Sequence, residues 1–183
     1  MAQAAAFILM YLVFPVWVAA GLADWWCHRR SGIERTSGLR ESLWHWLLFA
    51  EIGAAMLAVA FLEIDAAVLA WVFAVFVVHE LTVYFELRWV MPQREITAFE
   101  SMVHSFMEVL PLASLALLAV SAWDRLADWS VRLKDEPMPV AYLLGAGAAV
   151  LLFNAVPLIE ETLRCWKRRG ALRSDPALRD STM

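Results

Sequence analysis

Glutamate and histidine recur at a spacing of four in Glu100-Ser101-Met102-Val103-His104-Ser105-Phe106-Met107-Glu108. On a helix, positions i, i+4 and i+8 fall on one face, one above the other. Carboxylates and imidazoles stacked in this way can ligate a metal ion or carry protons. Apolar residues fill most of the positions between and after them, so the stripe belongs to a helix set in hydrocarbon. Ionisable groups there are costly and need partners or a bound ion. Asp24-x-x-x-His28 repeats the form: an acid, then an imidazole one turn later.

Other ionisable residues also stand among apolar neighbours. Glu51 and His79 do so on two further helices, and Glu86 follows His79 by seven residues on the same face. Glu86 reads as a further ligand or as an acceptor for an imidazole N–H; the competing reading pairs it with Arg88 or Arg94. Asp24, His28, Glu51, His79, Glu86, Glu100 and His104 together form the candidate metal set. Carboxylates bridge and imidazoles cap, so the set suits two divalent transition-metal ions, iron first, zinc or manganese as alternatives. Glu80 and Glu108 lie at similar depth without basic partners and are candidate catalytic carboxylates. Tyr84, on the face of Glu80, is a candidate electron relay. His45, one turn after Glu41, is expected to snorkel into the interface outside the set. Glu160 and Glu161 are expected to be solvated at a helix end, and Asn154 to make a helix–helix hydrogen bond.

Long apolar runs must position these groups. Of 183 residues, 62% are hydrophobic, and the mean hydropathy is +0.61. A bilayer-spanning helix takes about twenty apolar residues. The runs predict five transmembrane helices at about 4–27, 43–63, 66–89, 97–120 and 140–159, followed by a basic tail at 160–183. The chain therefore reads as one all-α polytopic membrane domain with a four-helix-bundle-like metal core. The first run lacks the basic start of a signal peptide and reads as a retained helix. Ser42 is expected to cap the second helix and Thr97 to start the fourth. Pro111 lies inside the fourth and removes a backbone donor. The loop 121–139 has room for a short interfacial helix. Cys27 and Cys165 read as two reduced thiols.

Five spans place the termini on opposite sides. One side receives Arg29, Arg30, Arg35, Arg40, Arg88, Arg94, Arg164, Lys167, Arg168, Arg169, Arg173 and Arg179; the other receives Arg125, Arg132 and Lys134. The positive-inside rule then predicts an outer N-terminus and a cytoplasmic C-terminus, in a membrane such as the bacterial inner membrane. All four histidines fall in the cytoplasmic half, in a layer that this reading leaves without Lys or Arg. The basic tail is ascribed to topology and anionic headgroups and not to nucleic acid.

The ligand pattern resembles the di-metal carboxylate bundles, the ferritin-like di-iron proteins among them, which use a Glu from each of two helices and Glu-x-x-His from two others. Here the acid–imidazole spacing is i, i+4, one acid is Asp, and His79 replaces a lone Glu. The resemblance covers ligand types and their distribution over four helices. Mixed imidazole–carboxylate shells with open positions suit iron and oxygen chemistry. With the site in the cytoplasmic half, the expectation is a membrane-embedded di-iron oxidoreductase that uses O2 on a lipid, isoprenoid or quinone-like substrate from the cytoplasmic leaflet, with an electron donor as a candidate partner. Two alternatives use the same residues: a zinc-dependent intramembrane hydrolase with Glu80 or Glu108 as base, and a non-enzymatic subunit that handles metal or protons or is stabilised by a structural metal.

Overall fold

Residues 2–174 are described by the computed structural model, and among them the fold is all-helical, with no strand. Five helices are long and apolar enough to cross a membrane: α1 (Ala2–Ser31), α2 (Gly38–Phe61), α3 (Ala66–Val90), α4 (Ala98–Ser121) and α5 (Val140–Leu172). The chain has its polar and apolar residues inverted relative to a protein in water. Phe73, Leu81, Phe85, Phe106, Val109 and Leu112 face outward, whereas Asp24, His28, Glu41, Glu86, Glu100 and Glu161 are buried. Apolar exposure on that scale is what hydrocarbon tolerates and water does not.

The helices close on themselves in the spatial order α1, α4, α3, α2, α5, with α5 returning to α1. Two ends follow from the loops. The basic end carries Arg29 and Arg30, the turn Ile33–Arg35 and the tight turn after Val90. The loop end carries the α2–α3 turn and the long α4–α5 connection. That connection holds one 3-10 turn, Trp123–Arg125, in place of the interfacial helix expected there. It folds onto the α2–α3 turn: the Glu63 N–H donates to the Arg132 carbonyl at 2.9 Å, and the Ala66 N–H to that of Asp128 at 2.9 Å. Beneath it Ile64, Val68, Leu69, Val72 and Leu118 form an apolar core.

Local chemistry explains the helix ends. Asp65 caps α3 by accepting from the Val68 N–H at 3.0 Å, and Thr97 caps α4 by accepting from that of Glu100 at 3.2 Å. Such caps satisfy backbone donors a helix start leaves open. α2 begins at Gly38, so Ser42 is not its cap; the Ser42 and Thr162 hydroxyls share a 2.8 Å hydrogen bond between α2 and α5. α5 does not end near residue 159 but stays helical to Ser174, carrying the basic stretch with it. Arg179 lies outside the described residues.

Pro111 leaves α4 continuous. The other two helical prolines each follow a widened π turn: Leu9–Val13 precedes Pro15, and Leu151–Ala155 precedes Pro157. A proline ring clashes with the carbonyl four residues back, here that of Tyr11 or Phe153, and both lie inside the widened turns. These turns also present polar groups sideways. Tyr142 donates its hydroxyl to the Met10 carbonyl at 3.2 Å. Asn154 donates to the Val18 carbonyl at 3.3 Å, the helix–helix bond expected of it.

Candidate metal centre

α1 places Asp24 and His28 one turn apart, and α4 does the same with Glu100 and His104. The ring brings the two pairs together. His104 Nε2 lies 2.9 Å from Asp24 Oδ1, and His28 Nε2 lies 3.5 Å from both Asp24 Oδ1 and Glu100 Oε1. One donor atom from each residue fits within 4.8 Å of the others. His28 is 1% exposed, and its Nε2 has no hydrogen-bond partner.

The other face of His28 shows how it is held. Its Nδ1 lies 3.0 Å from Glu161 Oε2, and His45 Nδ1 lies 2.8 Å from Glu161 Oε1. An ionised carboxylate only accepts, so each Nδ1 carries the proton. The two rings stack in parallel, centroids 4.4 Å apart and planes 4° apart. Both Nε2 atoms are thereby turned away from Glu161. That of His45 meets Glu86 Oε1 at 2.8 Å. A carboxylate on the far nitrogen is the arrangement that fixes a metal-ligating imidazole in tautomer and direction. His79 repeats it, with Nδ1 3.2 Å from Glu51 Oε2, while Thr82 donates to Glu51 Oε1 at 2.8 Å.

All four histidines line one cavity of about 110 Å3, together with Asp24, Glu86, Glu108 and Glu161. The Asn154 Oδ1 in its wall is also buried without a partner. Glu51 stands behind His79. Glu80 is half-buried, its Oε1 without a partner, and does not line the cavity. Tyr84 is 55% exposed, packed edge-on against Phe85 on the outer face of α3, so the structure does not bring it to the cavity.

Several expectations are corrected here. His45 is not an interfacial side chain: it lies at the centre, between Glu86 and Glu161. Glu86 pairs with His45 and with neither Arg88 nor Arg94. Glu161 is not solvated but 1% exposed, whereas Glu160 remains at the surface with Arg29, 2.5 Å away. The layer also contains a basic residue. Arg94 folds inward and binds two buried carboxylates, with Nη2 2.6 Å from Glu41 Oε1 and 2.6 Å from Glu100 Oε1. Its Nη1 reaches Glu100 Oε2 at 3.1 Å. Burial works against the Arg94 charge, but the hydrogen bonds to Glu100 and Glu41 outweigh it and hold the guanidinium above its ordinary value. A second cluster, His28, Glu41 and His45, also fits within 4.8 Å, but Glu41 is already taken by Arg94 and Ser37.

A signal for His45 was present: Glu41-x-x-x-His45 has the same spacing as the two pairs singled out above. Glu161 carried none, since it stands beside Glu160 where the hydropathy falls. Comparison with protein-family models, curated proteins and solved structures finds no match to this chain.

Proposed function

We propose that the chain is an integral membrane metalloenzyme, its N-terminus outside, whose imidazoles and carboxylates hold two divalent ions and serve the oxidation of a lipophilic substrate by O2. The observation that carries this reading is the open Nε2 of His28. Buried polar atoms without partners are rare and call for an explanation. This one is clamped from behind by Glu161 and faces two carboxylates and a second imidazole at ligand-like separations.

Asp24, His28 and His104 would hold the first ion, with Glu100 sharing its carboxylate between the ion and Arg94. His45 and Glu86 would start the second, with His79 and Glu108 on the same cavity wall. Glu161 and Glu51 then act through the histidines they orient. Charge leaves room for cations. Asp24, Glu41, Glu51, Glu86, Glu100, Glu108 and Glu161 gather here, and their basic partners among the described residues are Arg94 and the four histidines. Unpaired carboxylates in low dielectric cost several kcal/mol each, by order of magnitude, unless a cation or proton joins them.

Mixed nitrogen and oxygen donors with room for further ligands suit iron and oxygen chemistry. Two such ions, if bound, would supply the two-electron chemistry that O2 needs, with an external electron donor restoring them. The residues provide the rest: Glu161 and Glu51 fix ring direction, the apolar walls exclude bulk water, and Glu108 offers a carboxylate without a basic partner.

Elemental analysis of detergent-purified protein tests the reading. Two iron ions per chain are expected, with His28→Ala and His45→Ala each losing at least one and Tyr84→Phe losing none. Zinc alone, or full metal content in both histidine variants, would overturn it.

A further inference from the structure

Next to the polar cavity, toward the loop end, lies a larger one of about 320 Å3. Its walls are apolar side chains such as Phe14, Met56, Val72, Phe76 and Leu110. Trp17 and Ile52 belong to the walls of both cavities, so the two meet there. One charged side chain lines the larger cavity, Lys134, which reaches in from the α4–α5 connection. Its ammonium donates to the Val59 carbonyl at 2.7 Å and makes no ion pair among the described residues. The nearby Glu63 is already engaged by Arg125 at 2.5 Å and by the Asp135 N–H at 3.1 Å.

We propose that this cavity binds a long-chain fatty acid, its carboxylate at Lys134 and its alkyl chain running along the apolar walls to Trp17. The volume lies at the lower end of small-molecule sites, about 300–1,000 Å3, which matches one chain better than the two of a phospholipid. An ammonium with two protons to spare, set at the rim of an apolar chamber, is matched by a monoanionic head on an aliphatic tail. Burial pushes the Lys134 ammonium below its ordinary range, and a carboxylate partner offsets that. The far end of the chain then lies against the wall shared with the polar cavity. The substrate class of the metal site follows, on the premise of the reading above; the binding itself does not depend on metal.

Bromine quenches tryptophan on contact, so 16-bromohexadecanoate and 2-bromohexadecanoate report where each end of the chain lies. The full chain in detergent, as purified and after chelator treatment, is titrated with each probe. Saturable quenching by the 16-bromo acid is expected, weaker with the 2-bromo acid and lost in Trp17→Phe. Ala55→Phe and Ala146→Phe, which fill the cavity from two helices, are expected to abolish it. Lys134→Met removes a charge-assisted pair and is expected to weaken binding about tenfold, bringing hexadecanoate level with hexadecanol as a competitor. Quenching independent of Trp17, unchanged binding in both filled variants, or equal competition by a two-chain phosphatidylglycerol would overturn the proposal. Because binding is read with and without metal, these outcomes are separate from the metal count that tests the site itself.

Discussion

Arg94 shows how one side chain sets the electrostatics of the whole basic end. Glu41 and Glu100 are each 1% exposed at the side chain and share its guanidinium. Removing one partner of a buried ion pair leaves an uncompensated charge, at a cost of about 3–5 kcal/mol. Arg94→Met is therefore expected to lower stability by that order in detergent denaturation. Arg94→Lys keeps the charge but loses the planar fork and should fall between. Adding Glu41→Gln to Arg94→Met should recover part of the loss; no recovery would mean the methionine, and not the stranded carboxylates, does the damage. In the sequence, Arg94 follows Pro92 and looks like one more charge at a membrane boundary. What turns it inward is local geometry. The Gln93 and Arg94 N–H groups both return to the Val90 carbonyl, at 2.8 and 3.2 Å, and hydropathy does not encode such a turn.

Between elements, the closest fit is that of α1 on α5. A Cβ built on Gly21 would lie 2.2 Å from Asn154 Nδ2. Glycine is thus required there by a neighbouring side chain and not by its own backbone angles. Gly21→Ala must turn the Asn154 amide aside and lose its bond to Val18, a cost of about 1 kcal/mol. The double variant Gly21→Ala/Asn154→Ala should regain much of that in thermal unfolding, since the clash is gone. Equal stability of Gly21→Ala and the parent would show that Asn154 is not held where it lies. The five helices were legible because apolar runs and turn residues mark them, and Asp65 and Thr97 mark two starts. The acid–imidazole pairs were legible because i, i+4 spacing survives any packing. Glu161 was not, since its role depends on α5 continuing past the apolar run and meeting α1 and α2.

Over the whole molecule, the distribution of basic residues predicts how the bundle sits. Cys27 and Cys165 are buried, so a thiol introduced at the surface is the one a reagent finds. With the N-terminus outside, a cysteine at Ser130 should react with a membrane-impermeant maleimide in intact cells. One at Ser174 should react only after permeabilisation. The reverse pattern would invert the topology. The spatial order of the helices was beyond the sequence. Each helix exposes apolar side chains over much of its circumference, so hydropathy does not say which neighbours it chooses.

The ring order bears on how the protein is made. Of the five helices α1 comes first in the chain, yet its ring neighbours are α4 and α5, the last two of the five. Through most of translation His28 waits in the membrane without Glu100, His104 or the Glu161 carboxylate that orients it. In the proposed site Asp24 and His28 meet Glu100 and His104 only when α4 packs on α1, and Glu161 reaches His28 and His45 only when α5 closes against α1 and α2. A chain that lacks α4 cannot bring the cluster of Asp24, His28, Glu100 and His104 together, and one that lacks α5 leaves His28 without Glu161.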